Sequence, residues 1–218
     1  MRTIIFANGQ LENQNHIQAE IQAGDLLIAV DGGARHFRSL GLAPHLAVGD
    51  FDSLTAEELL ELEKSGVQII RYPERKDFTD LELALQLAVE RGAGEVIVFA
   101  ALGNRWDQTL ANLLLPAALH FDQLQVRLID GEQEIALLRN GETLVLNGQP
   151  GDTISLVPVG GDAIGVTTQG LEYPLHQETL YFGSTRGVSN VLLSSGARVT
   201  LENGLLICVT IHHNLVEV

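Results

Sequence analysis

Apolar residues in the first part of the chain fall in short, nearly continuous runs. Thr3–Ala7 and Leu26–Val30 are two of them, and they stop at the turn signals Asn8-Gly9 and Asp31-Gly32-Gly33. Ala47-Val48 stops at Gly49-Asp50, Gln68–Arg71 at Tyr72-Pro73, and Glu95–Ala101 at Gly103. Such runs predict strands buried on both faces. Helical patterns lie between them. Thr55 with Glu58, and Thr79 with Glu82, have the spacing of capping boxes, which satisfy the free N–H groups of a helix start. After the second, Leu81, Ala84, Leu85 and Ala88 share one helix face. A helix is also expected from near Ala34, and another from Arg105 to Leu119. Strand and helix in alternation predict a parallel sheet with helices on both faces.

The pattern changes near Gly131. Gln133–Leu138, Glu142–Leu146, Thr153–Pro158, Ala163–Thr168, Ala197–Glu202 and Leu205–Ile211 read as short strands. Turn signals such as Asn140-Gly141, Gly160-Gly161 and Asn203-Gly204 separate them. The expected fold is therefore an N-terminal parallel-sheet α/β domain over residues 1–131. A C-terminal antiparallel β-sandwich domain follows over residues 132–218.

Composition narrows the function. The 218 residues hold 28 acidic and 13 basic side chains, a net charge of −15. That balance argues against a general nucleic-acid binder and against docking on an anionic membrane. No apolar run reaches the ~18 residues of a membrane span, and no leader with a cleavage site is seen at the start. A single cysteine, Cys208, fits a reducing compartment and hence the cytoplasm.

The polar clusters fall just after the predicted strands, where open α/β sheets bind ligands. Asp31-Gly32-Gly33-Ala34 offers backbone for close approach to a phosphate, but a plain turn has the same look. In Gly49-Asp50-Phe51-Asp52-Ser53 an extended chain would point Asp50 and Asp52 the same way, a pair that needs a cation between them. Lys76-Asp77-Phe78-Thr79-Asp80 sets a base among acids around a helix cap. Gly103-Asn104-Arg105-Trp106-Asp107-Gln108 is a further strand-to-helix turn carrying both signs. Acids massed at one sheet edge call for divalent cations, and bases among them call for an anionic ligand. Together they describe a Mg²⁺–nucleotide site for phosphoryl-type transfer. Neither a Walker A motif nor a kinase glycine loop is present.

At these residues the sequence resembles the thiamine pyrophosphokinase family. The matching motifs are Asp31-Gly32-Gly33-Ala34, Gly49-Asp50-Phe51-Asp52-Ser53, Asp77-Phe78-Thr79-Asp80 and Gly103-x-Arg105-x-Asp107, in that order. Gly170-Leu171-x-Tyr173-Pro174-Leu175 and Gly187-Val188-Ser189-Asn190 match in the second domain. The resemblance implies transfer of the β,γ-pyrophosphoryl group of ATP to thiamine, giving AMP and thiamine diphosphate. It implies a homodimer with its active site at the interface. It implies that Asp50, Asp52 and Asp80 hold Mg²⁺, and that Asp52, Asp80, Arg105 and Asp107 serve catalysis. Asp31, Gly32, Gly33, Lys76, Asp77 and Thr79 would belong to the nucleotide site, with Ser189 and Asn190 near thiamine. A different alcohol acceptor, such as a pterin-like one, or nucleotide binding alone is the alternative. Two positions depart from the family pattern: Gln108 stands where many relatives have His, and Ile207 where some have Trp. Trp106 is expected in the core at a helix start, with stacking on a nucleotide as the alternative. His212 and His213, adjacent in a strand, point oppositely and do not share a metal. Cys208 reads as a buried small hydrophobe, and Glu57, Glu58, Glu61 and Glu63 as a solvated helix side.

Overall fold

Alternation of buried strand and amphipathic helix builds the first part of the chain. The computed structural model describes residues 1–103 and 105–213, and the chain divides into two units at Gly131/Glu132.

The first unit runs β1 (Arg2–Phe6), α1 (Gln14–Glu20), β2 (Leu26–Val30), α2 (Ala34–Ser39), β3 (Leu46–Gly49), α3 (Ala56–Lys64), β4 (Gln68–Arg71), α4 (Asp80–Glu90), β5 (Glu95–Phe99), α5 (Trp106–Leu114) and β6 (Gln125–Asp130). Its strands are parallel in the order β6-β5-β1-β2-β3-β4. Successive strands step outward from β1 to β4, then β5 returns to the other side of β1. That reversal makes a crevice at the carboxyl end of β1, the usual ligand position in such sheets.

One sheet face carries Ile4, Phe6, Ala29, Ala47, Ile97 and Phe99, packed with Ile17 of α1, Phe37 of α2 and the partly buried Leu59 and Leu62 of α3. Phe6 is its centre: Phe37 meets it edge-on at 4.6 Å and Phe99 stacks on it at 5.1 Å. The alternate residues Ile5, Ile28, Leu46, Val48, Val96 and Val98 are equally buried and point to the opposite face. This double burial is why the strands lack polar alternation.

Both threonine caps form. Thr55 opens α3 with a complete capping box to Glu58. Thr79 opens α4 by accepting from the Glu82 N–H, but the Glu82 carboxylate lies 3.7 Å from the His120 ring rather than turning back to Thr79. The helix expected from Arg105 to Leu119 ends at Leu114. Pro116 lacks an N–H and disfavours helix at Leu115, so 3₁₀ turns Leu115–Ala117 and Leu119–Phe121 complete the segment.

The second unit runs β7 (Gln133–Arg139), β8 (Thr143–Val145), β9 (Thr153–Pro158), β10 (Ala163–Gln169), β11 (Glu178–Leu180), β12 (Asn190–Val191), β13 (Arg198–Thr200) and β14 (Leu205–Ile211). They form antiparallel arrays in the orders β12-β9-β14-β7 and β11-β10-β13-β8. Inward residues of both, among them Leu138, Ile154, Leu156, Val166, Val199, Leu206 and Cys208, share one core. Cys208 is buried and free, and burial pushes its thiol up to about 12. His212 and His213 lie just past β14 rather than within a strand, and both meet Asp152. The buried carboxylate of Asp152 receives the His213 backbone N–H at 3.0 Å and lies 3.1 Å from His212 Nδ1.

Candidate active site

The site residues sit where strands of the first sheet end. β2 delivers Asp31, which takes a left-handed backbone (φ 49°) and starts the 3₁₀ turn Asp31–Gly33 into α2. The two glycines after it are closely packed, Gly32 by side chains and Gly33 by backbone. A Cβ on Gly32 would lie 2.0 Å from Asn8 Oδ1, and one on Gly33 would lie 2.1 Å from the Phe6 carbonyl oxygen. The exits of β1 and β2 therefore interlock. His36 ties in the same loop, its Nε2 lying 2.9 Å from the Gly9 carbonyl, and burial lowers its pKa.

β3 delivers Gly49-Asp50-Phe51-Asp52-Ser53. Phe51 is buried and left-handed (φ 63°), so a tight turn rather than an extended chain turns Asp50 and Asp52 to the same side. The Asp52 N–H donates to Asp50 Oδ1 at 3.0 Å. Arg71 clamps the turn, its guanidinium 5.3 Å from the Phe51 ring centroid and 3.3 Å from the Asp50 carbonyl oxygen. Carboxylate oxygens of Asp31, Asp50 and Asp52 all come within 4.8 Å of one another. Asp50 and then Asp31 push the Asp52 pKa up. Asp31 is 8% exposed, with Oδ2 taking the Ser53 hydroxyl at 2.7 Å and Oδ1 buried without a hydrogen-bond partner. A buried carboxylate oxygen left open beside two further carboxylates is a donor set that could hold a cation.

Asp80 stands outside that triad. Its Oδ1 accepts from the Lys76 ammonium at 2.6 Å, and the same ammonium lies 3.8 Å from Asp50. Lys76 thus joins the turn after β3 to the start of α4. Thr79 caps α4, while Asp77 is exposed.

A cleft of about 710 Å³ opens at the carboxyl end of β1, β2 and β5. Its walls include Asn8, Asp31, Thr79, Asp80, Arg105 and Asp107. Ala100, just past β5, is left-handed too (φ 54°). Strand exits at Asp31 and Ala100 in the cleft wall, and at Phe51 beside the acidic triad, thus hold side-chain-bearing residues in a conformation costing about 1–3 kcal/mol each, the kind of strain that gathers at working sites. Arg105 and Asp107 form an exposed bidentate pair, with Nε to Oδ1 at 2.8 Å, and Arg105 holds the Asp107 carboxyl down to about 2. Asn104, between Gly103 and Arg105, lies outside the described residues. Trp106 is not in the core. It is 74% exposed, and with Leu110 and Leu114 it forms an exposed apolar stripe along α5.

In the second unit, Ser189 is exposed and left-handed (φ 63°). Asn190 is buried and its amide is spent on the chain: Oδ1 accepts from the Tyr173 and Val191 N–H groups, and Nδ2 donates to the Tyr173 carbonyl. It fixes the Tyr173-Pro174-Leu175 segment beside a cavity of about 320 Å³ that this segment lines with Leu156, Arg186 and Val188. Ile207 is buried on the face of β14 opposite Leu206 and Cys208.

Sequence reasoning gave no site role to Asn8, Ser53 or Asn112, although Ser53 stands in the Gly49–Ser53 motif. Ser53 closes on Asp31, and Asn112 donates to the Ala101 carbonyl at 2.7 Å, fixing the chain after β5. Their signal is a short polar residue at a strand exit or on a cleft-facing helix turn.

Residues 17–128 match the family model for the thiamin pyrophosphokinase catalytic domain, and residues 142–206 match that for its vitamin B1 binding domain. The chain belongs to the thiamine pyrophosphokinase family. The thiamine pyrophosphokinase of Bacillus subtilis is 33% identical over 184 residues, 84% of this chain and 86% of that protein. A crystal structure of thiamine pyrophosphokinase from the same species has a TM-score of 0.86 at 29% identity, covering 97% of this chain and 99% of the other. The enzyme from Geobacillus thermodenitrificans gives 0.82 at 27% identity, with 97% of each chain covered. The acidic triad and the cleft walls from Val30 to Asn112 fall in the segment matching the thiamine pyrophosphokinase catalytic domain, and the Ala7–Gln10 wall precedes it. Ser189 and Asn190 fall in the segment matching the vitamin B1 binding domain.

Proposed function

We propose that the protein transfers the pyrophosphoryl group of ATP to the hydroxyethyl oxygen of thiamine, giving thiamine diphosphate and AMP. The observation that carries this reading is the cleft at the sheet's switch point, where Asp31 of the acidic triad shares a wall with Asp80 and Arg105. The alcohol oxygen bonds to the β-phosphorus, the bond from that phosphorus to the oxygen kept by AMP breaks, and the alcohol proton is lost.

The donor set fits Mg²⁺: three hard carboxylates, one with a buried oxygen that nothing else pairs. Asp31, Asp50 and Asp52 would hold the ion, with Asp80 adjoining through Lys76. When bound, Mg²⁺ neutralises phosphoryl oxygens and aligns the transferred group. Arg105 meets the charge that builds on the departing AMP once its bond to Asp107 yields. Asp80 is committed to Lys76, which leaves Asp52 better placed to accept the alcohol proton. Asn190 shapes the acceptor region by holding the backbone of Tyr173.

A homodimer is part of the same reading. Trp106, Leu110 and Leu114 recur at helical spacing and are exposed beside the cleft, an arrangement suited to a second copy. One buried cysteine fits a cytoplasmic setting.

Mass spectrometry of a reaction of purified protein with ATP, thiamine and Mg²⁺ is the test. Thiamine diphosphate with AMP is expected. ADP with thiamine monophosphate would reject the reading.

A further inference from the structure

The Ser53 hydroxyl has an unusual assignment. Ser53 stands two residues before Thr55, in a turn where serine commonly caps the coming helix. Here Thr55 takes that role, receiving the Glu58 N–H at 3.2 Å. The Ser53 hydroxyl instead donates to Asp31 Oδ2 at 2.7 Å, across 22 positions of sequence.

Ser53 is itself held in place. Its carbonyl accepts from Arg35 at 2.7 Å, and Arg35 forms a two-pronged pair with Glu58 at 2.7 and 2.8 Å. Glu58 also receives the Thr55 N–H at 2.8 Å. On the other side Ser53 Oγ closes against Gly32, where an added Cβ would lie 2.9 Å away. A fixed donor thus meets one oxygen of a buried carboxylate whose other oxygen has no partner. Two further carboxylates crowd the same point and would otherwise drive the Asp31 side chain away.

We infer that Ser53 is a positioning residue, whose hydroxyl fixes the Asp31 carboxylate so that its open oxygen is kept for the divalent cation shared with Asp50 and Asp52. This rests on the cation reading above and deepens it. Partners of this kind, which bond to a ligand rather than to the metal, typically change metal affinity by about 10–100-fold.

The test is Mn²⁺ binding, followed by the loss of the free-ion electron paramagnetic resonance signal, with the whole protein and no nucleotide. The expected result is that Ser53→Ala binds Mn²⁺ at least about tenfold more weakly, while Ser53→Thr, which keeps the hydroxyl, binds like wild type. Thermal unfolding in EDTA checks that each variant is folded, and the rise in Tm on adding Mn²⁺ should shrink for Ser53→Ala alone. Wild-type affinity in Ser53→Ala, or equal loss in both variants, overturns the role of the hydroxyl and leaves the cation reading standing. A wild-type protein that takes up no Mn²⁺ overturns the cation reading and this inference with it.

Discussion

The ammonium of Lys76 lies 2.6 Å from a carboxylate oxygen of Asp80, four residues on. Asp80 opens α4 and Lys76 lies in the loop before its cap, yet the same ammonium also reaches toward Asp50 just past β3. It is a cation tethered beside the acidic triad, and its removal leaves two partly buried carboxylates facing each other. Lys76→Met should lower stability in EDTA by about 2 kcal/mol, between the ranges for exposed and buried pairs. Urea unfolding measures this, and Mg²⁺ should recover part of the loss. Pyrophosphoryl transfer should fall by roughly a hundredfold or more, in line with removal of a charge-stabilising group.

Asp52→Asn should nearly abolish turnover, by about a thousandfold, while the chain stays folded. Its effect on stability has the opposite sign. Asp50 and Asp31 raise the Asp52 pKa in the folded protein, so ionised Asp52 disfavours folding at neutral pH. In EDTA the variant should melt higher than wild type at pH 7. That advantage should shrink as pH falls through the raised pKa and be gone below the ordinary carboxyl range, where Asp52 is protonated in both states. Calorimetry across that pH span reads both parts.

Glu58 behaves conversely. Arg35, then the Thr55 N–H, depress its pKa to about 2. Its stabilising contribution is present above the ordinary glutamate pKa and is lost as pH falls toward 2. Glu58→Gln should therefore be destabilised at pH 7, with the gap to wild type closing in acid. Thermal melts at pH 7 and near pH 3 give the comparison.

Gly33→Ala tests the interlock of β1 and β2. Backbone conformation at Gly33 is ordinary, so the cost comes from the 2.1 Å approach of a Cβ to the Phe6 carbonyl. Backbone has to shift, and a loss of about 3 kcal/mol is expected, at the upper end for overpacking. Gly94→Ala is the control: it meets nothing within 4 Å, and its change should stay within about 0.5 kcal/mol.

Leu110→Glu places a charge in the middle of the α5 stripe. Light scattering coupled to gel filtration should change from the mass of two chains to that of one. Because Leu110 is 56% exposed in the single chain, the fold should be kept.

The legible parts of the fold are those fixed by local chemistry. The strands Leu26–Val30, Gln68–Arg71, Thr153–Pro158 and Leu205–Ile211 begin and end where their apolar runs do. β6, with Arg127 at its centre, is harder to see. That side chain is paired with Glu20 and Glu95, so it interrupts the run without ending the strand. β11 and β12 are only 3 and 2 residues long and carry no period. The short α1, opened by left-handed Asn13, is likewise outside what periodicity can show. At the site, carboxylates after strands were visible because strand ends are. The shared side of Asp50 and Asp52 was legible too, but Asp31 joining them and Asp80 pairing with Lys76 were not, since these depend on the turn at left-handed Phe51 and on the loop before α4. Trp106 misleads because large aromatic residues usually go inside. Here its helix presents an outward apolar stripe.

That stripe gives the molecule a built-in spectroscopic reporter. The sequence has a single tryptophan, so all indole emission comes from Trp106, next to Arg105 in the cleft wall. An indole as open to water as this one emits far to the red. Burial of the stripe under a second copy would move the emission to the blue, and Leu110→Glu would return it. A nucleotide drawing Arg105 away from Asp107 would perturb the same signal with a different concentration dependence. Assembly and ligand uptake can therefore be followed separately in one unlabelled sample.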